Sequence, residues 1–245
     1  MYPQHLKYLL EKDTAWFDPC YGLFGFWEEY RKLKVKLSKP HEIVWNHREL
    51  KKAKEIFAIS IIAKAMSRSD NLRWWITKPK IDPPDGVIGT IINNNGIEEM
   101  HVREVEVVEH LSGNVEQTII NKLQGKKYEP NTILVCLVSQ GGILNLEKIA
   151  NILSGVATSL EHIFIVFTGT KLSSIQSNAN TNDLLAAALS VSSVQVKPIY
   201  SYVNVNILED CKDWKSGVTG NYFIFERRGR GGWRPVTLDN YPKLF

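Results

Sequence analysis

Three acidic side chains lie on either side of a short polar turn. Asp85 follows Pro83 and Pro84, and Glu104 and Glu106 lie beyond Asn93-Asn-Asn-Gly96. Val87 to Ile92 is largely β-branched and apolar, whereas Met100 to His110 alternates valines with charged residues. An Asn-Gly pair between two such runs predicts a β-hairpin. A two-residue loop at Asn95-Gly96 sets Asp85 opposite Glu106, and one at Asn94-Asn95 sets it opposite Glu104. In both registers the three carboxylates share a face, because side chains two apart on a strand point the same way. A three-residue loop breaks the relation.

Carboxylates gathered in this way need a cation, because opposed like charges destabilise a strand pair and an unpaired buried charge is costly. Two sources of positive charge fit the sequence equally well. One is a hard divalent ion such as Mg²⁺ (or Mn²⁺), which takes oxygen ligands and leaves room for water and phosphate. The other is a set of lysines on a neighbouring strand, over a solvated sheet face.

Pro84-Asp85 followed by Glu104-x-Glu106 on the second arm of a hairpin resembles the PD-(D/E)xK nuclease superfamily, which includes many restriction endonucleases. The resemblance runs from about residue 48 to 170. It implies a metal-dependent hydrolase of DNA phosphodiesters, with Asp85 and Glu104 holding Mg²⁺ and Glu106 orienting the attacking water or sharing the metal. The chain departs from the pattern at Glu106, where the family usually has lysine, although some of its restriction enzymes also carry glutamate there. A second alignment makes Glu106 the acidic ligand and puts Val108 at the lysine position. Lys122, on the following helix, is the candidate for the missing positive charge.

The setting of the hairpin agrees with that family. Leu50, Ala53, Phe57 and Ile61 recur at helical spacing and predict a helix over Arg48 to Ser67, with Lys51, Lys52, Lys54 and Lys64 on its remaining surface; Glu55 is read as a solvated surface residue, with reach toward the metal as the alternative. Leu72 to Thr77 reads as a strand. Ser112-Gly-Asn114 caps a helix from Val115 to about Lys127, and Thr132 to Ser139 is a continuous apolar strand of the kind found in a sheet covered on both sides. A helix over Leu144 to Leu153 and a strand over His162 to Thr168 follow. This is the α-β-β-β-α-β order of a restriction-endonuclease-like α/β core, a mixed central sheet flanked by helices, with one further α-β unit and with N- and C-terminal additions. Gly141-Gly142 reads as a plain turn, since it has neither a dinucleotide-binding glycine spacing nor a following Lys-Ser/Thr.

Residues 1–46 are expected as an aromatic and basic extension packed on the core, with a helix from about Leu23 to Leu37, and residues 47–245 as the nuclease-like domain. Ser173 to Asn182 reads as a polar loop, Asp183 to Leu189 as a small helix, and Val194 to Ile207 and Tyr222 to Phe225 as strands. Near the end, Glu226-Arg-Arg-Gly-Arg-Gly-Gly-Trp-Arg-Pro235 carries Arg227, Arg228, Arg230 and Arg234 among glycines. Arginine matches phosphate geometry and guanine edges, so this segment is the expected DNA contact, as a flexible strip. The bland alternative is a solvated loop paired with surface acids.

The 245-residue chain is 44% apolar and 23% charged, which is ordinary for a globular protein, and its net charge of +4 permits a nucleic-acid partner without requiring one. Cys20, Cys136 and Cys211 are isolated and show no zinc spacing, and Cys136 sits in an apolar strand as a core residue. No run is apolar enough to span a bilayer, and the start lacks a signal-peptide core. The expectation is an intracellular, cytoplasmic DNA-cutting enzyme with no membrane partner, homodimeric assembly being compatible with the family. Two other classes fit the same residues: a catalytically inactive nuclease fold that binds nucleic acid or a protein, and an unrelated α/β interaction domain.

Overall fold

The computed structural model describes residues 16–79, 83–139, 144–168, 190–197, 201–206, 224–227 and 233–236. Its centre is the expected hairpin, β3 (Gly86–Asn94) and β4 (Ile97–His110). Asn95 and Gly96 both have positive φ, 53° and 84°, the conformation a two-residue hairpin loop needs at both central positions. Asn93 Oδ1 accepts from the Gly96 amide at 2.8 Å and closes the turn. The ladder runs from Asn94 opposite Ile97 to Gly86 opposite Val105, so one further step sets Asp85 across from Glu106.

On its other edge β4 pairs in parallel with β5 (Ile133–Val138), and β5 pairs in parallel with β6 (His162–Thr168). Beyond β6 the hairpin of β7 (Ser190–Lys197) and β8 (Ser201–Asn206) continues the sheet antiparallel. On the other side of β3 come β2 (Trp74–Thr77), β1 (Trp16–Phe17), β9 (Ile224–Arg227) and β10 (Trp233–Val236). Among the described residues the strands form one mixed sheet in the order β10-β9-β1-β2-β3-β4-β5-β6-β7-β8. The protein is therefore α/β.

Helices cover both faces of the centre. The long α3 (Lys51–Asp70) lies on the face of Val105, Ile133, Val135, Leu137 and Phe164, in one core with α1 (Pro19–Leu37) and α2 (His41–Trp45). Leu134, Cys136, Ile163 and Ile165 point the other way and pack against α4 (Val115–Gln124) and α5 (Leu146–Ser154). Every residue of β5 is buried, as its unbroken apolar run predicts. Burial pushes the Cys136 thiol up to about 12, which leaves it an inert core residue. Within the described residues no helix is long and apolar enough to cross a membrane.

Several boundaries differ from the sequence expectation for local reasons. The first helix begins at Pro19 rather than near Leu23, because Asp18 caps it by accepting from the Cys20 amide at 2.9 Å and proline occupies its first turn. Gly22 lets α1 approach α3 closely, since a Cβ there would stand 2.1 Å from Ser60 Oγ. The helix after the hairpin stops at Gln124 before Gly125, short of Lys127. Trp16 and Phe17 join the central sheet through Phe17 opposite Ile76, and α1 shares the main core. The expected loop at 173–182 and helix at 183–189 lie outside the described residues.

Candidate functional site

Asp85 occupies the bend just before β3, so strand alternation does not govern its side chain. Its Oδ2 accepts from the Val107 amide at 2.8 Å. At that level β3 has ended and β4 has lost its antiparallel partner, and the carboxylate stands in for the missing strand. Oδ1 lies 3.7 Å from Lys52 Nζ at the start of α3. The same ammonium is 3.0 Å from Glu55 Oε2, and Lys51 Nζ is 3.9 Å from Glu55 Oε1.

Glu55 differs from its expectation as a solvated surface residue. It is only 6% exposed, and its buried Oε2 meets the Lys52 ammonium at 3.0 Å. Burial raises its carboxyl above the usual range, and the negative charge of Asp85 adds to that, while Lys52 and Lys51 pull the other way. Two carboxylates from different elements therefore face one lysine at the first turn of α3.

A second ion pair flanks this group. Glu109, two residues beyond Val107 on the same side of β4, receives Lys54 of α3 and, at 2.5 Å, the Ser139 hydroxyl on its Oε1. Lys54 was expected at the surface and is 4% exposed, with its ammonium 6.0 Å from the centre of the Trp45 ring. Neither Glu109 nor Lys54 stood out in the sequence. The available signal was Glu109 sharing alternation with Val105 and Val107, opposite a helix that carries two lysines and a glutamate in four residues.

Glu106 faces the other layer. It is buried, with Oε1 at 2.6 Å from Lys126 Nζ and Oε2 at 3.3 Å from Lys122 Nζ. Lys122 thus meets Glu106 rather than Asp85, and Lys126, in the turn after α4, was not anticipated. Tyr128 lies beside them: Lys126 Nζ is 5.3 Å from its ring centre, and burial followed by the charges of Glu106 and Asp85 pushes its phenol up to about 12. Glu104 is half-buried opposite Val87.

Asp85 and Glu106 of the expected cage take separate lysine partners. Among the described residues no three Asp, Glu, His or Cys side chains stand together in a group able to hold a metal ion. Asp85 leans toward α3 and Glu106 is held by two lysines under α4, so the shared register does not bring their oxygens into one shell. The pair that does fit a cation is Asp85 and Glu55. Mg²⁺ is commonly bound through one or two carboxylates, with water and substrate phosphate completing its shell, and an ion between Asp85 and Glu55 would take the place that the Lys52 ammonium now holds against both carboxylates.

The described ends of the arginine segment lie in strands. Arg227 ends β9 opposite Trp233, and Arg234 in β10 stands opposite Glu226, one step along the same ladder. Arg228 and Arg230 lie outside the described residues. No protein-family model, no curated protein and no solved structure matches the chain.

Proposed function

We propose that the protein is a divalent-metal-dependent phosphodiesterase acting on DNA, with a restriction-endonuclease-like core and its reactive centre at Asp85, Glu55 and Lys52. One observation carries the reading: carboxylates from a hairpin and a helix face one lysine, and one of them is buried with its carboxyl raised by burial and by the other's charge. Order of elements supports it as well, since α3-β2-β3-β4-α4-β5 repeats the α-β-β-β-α-β succession of that family.

In this reading Asp85 and Glu55 hold Mg²⁺ or Mn²⁺. The bound ion supplies a water of lowered pKa and neutralises charge on the phosphoryl oxygens. The Val107 amide fixes the Asp85 carboxylate, so its second oxygen is presented without reorganisation. Lys52 has a half-exposed side chain, 48%, and can turn its ammonium from the carboxylates to a phosphate oxygen. It takes the part that lysine at position 106 would otherwise play. DNA is the proposed partner, with homodimeric assembly and an intracellular location belonging to the same proposal.

The experiment is nicking of supercoiled plasmid in Mg²⁺, Mn²⁺ and EDTA. Cleavage in either metal that stops in EDTA supports the reading, and its absence in all three refutes it. A second reading rests on Glu106, whose two oxygens are both occupied by lysines at the position where the family usually has its catalytic lysine. It makes the protein a binding module of nuclease-like fold, recognisable by a salt-sensitive gel shift with no cleavage.

A further inference from the structure

We propose that Lys122 and Lys126 form a phosphate-binding subsite on the α4 side of the sheet, with Glu106 seating both ammoniums when no anion is bound. Only the choice of a polynucleotide as the source of that phosphate rests on the nuclease reading. The subsite lies under the other helical layer from the Lys52–Glu55 pair, although the Asp85 charge is felt at Tyr128.

Glu106 is 4% exposed, whereas the Lys122 and Lys126 side chains retain 32% and 39% of their exposure. The carboxylate is thus an inner anchor and the two lysines are its outer shell. Two ammoniums on one carboxylate leave a positive charge at that end of α4, and a lysine ammonium binds phosphate as a point charge. Held 3.3 and 2.6 Å from the two oxygens of one carboxylate, both nitrogens are gathered at one place before an anion arrives.

Tyr128 supplies the second, independent observation. Its hydroxyl is fully buried and has no hydrogen-bond partner, an arrangement that costs free energy unless something completes it. Its phenol remains protonated across the physiological range, so it is a donor there. The Tyr128 backbone is pinned by the Ser159 hydroxyl, which donates to its carbonyl at 2.6 Å, while Lys126 lies over the ring. When an anion draws Lys126 outward, the Tyr128 hydroxyl is the nearby neutral donor for the Glu106 oxygen left behind. Glu106 then keeps a partner, and releasing the lysine costs less than exposing a lone buried carboxylate. A solvated ion pair would not need such a neighbour.

The test is binding without cleavage, in EDTA, using a short oligonucleotide followed by fluorescence anisotropy and inorganic phosphate followed by thermal protection. The parent should bind the oligonucleotide in a salt-sensitive way. Lys122→Met combined with Lys126→Met should weaken binding at least about tenfold and flatten the log–log salt dependence by roughly one unit per lost contact. Tyr128→Phe should weaken it by a smaller factor, and Lys126→Arg should retain it, which separates lost phosphate contact from lost fold. Loss of phosphate protection with unchanged oligonucleotide binding also supports the subsite and assigns it to free phosphate. Coincident curves for parent and double variant with both probes would overturn it, as would equal loss in Lys126→Arg. A parent that binds through these lysines but never cuts in Mg²⁺ would refute the hydrolase and leave the subsite standing.

Discussion

The Asp85 carboxylate accepts from the Val107 amide at 2.8 Å, completing the β4 ladder where β3 has ended. This bond gives Asp85 a structural role beside its proposed chemical one. A fully buried amide left without a partner costs about 1–3 kcal/mol, and a partly buried one less. Asp85→Ala should therefore lower stability by about 1 kcal/mol in metal-free buffer, even though it removes a negative charge beside Glu55. Asp85→Asn keeps an acceptor at the same place and should lose much less. Chemical denaturation of both variants checks this, and equal stability of parent and alanine variant would contradict it.

Glu106→Lys installs the residue usual at this place in the nuclease superfamily that the hairpin resembles, and should nevertheless damage the fold. It would leave three ammoniums around a position that now holds their counter-ion. Breaking a buried pair by removing one partner costs about 3–5 kcal/mol, and like-charge repulsion adds to it. Glu106→Gln should cost less, because a neutral acceptor still meets the lysines. Denaturant midpoints that rank lysine above glutamine would contradict the packing described here.

Glu55 should give a pH-dependent stability of defined sign. Burial holds its carboxyl above the ordinary value of 4.5, so between that value and its folded one the native state binds more protons than the unfolded chain. Its contribution to stability then falls as pH rises through the window and stays unfavourable above it. Glu55→Gln should melt higher than the parent at neutral pH without metal, and the gap should close as pH falls through the window. A glutamine variant that melts lower at neutral pH would contradict the sign.

The hairpin was legible in the sequence because Asn-Gly admits the positive φ that a two-residue loop demands, whereas the choice between an Asn95-Gly96 and an Asn94-Asn95 loop came only with the structure. The site was less legible. Asp85 lies outside the strand, so a face argument built on alternation did not apply to it. Glu55 and Lys54 look like surface residues on a lysine-rich turn, yet α3 is buried almost continuously from Ala53 to Ala63 between α1 and the sheet. Long-range packing decides that, and helical spacing within one segment cannot show it. Lys126 sits in a turn past a helix end, where no periodicity marks a partner for Glu106.

The arginines give a prediction about binding. Arg227 and Arg234 stand one ladder step apart across the β9–β10 pair, at the edge of the sheet. Neutralising both to glutamine should weaken DNA binding across all sequences and reduce the salt slope by roughly one unit per lost phosphate contact. Loss confined to one base position, about 1–3 kcal/mol, would instead mark direct reading of a guanine. Unchanged titrations at low and high salt would remove this ribbon from the interface.

If Asp85 and Glu55, rather than Glu104, form the proposed metal-dependent centre, the rate of plasmid nicking in Mg²⁺ separates the single variants Asp85→Asn, Glu55→Gln and Glu104→Gln, each first shown to be folded. The parent and Glu104→Gln should nick in a Mg²⁺-dependent way, and the other two should lose at least a hundredfold, roughly 2.7 kcal/mol of barrier. Full activity in Glu55→Gln together with a dead Glu104→Gln would contradict this placement of the centre.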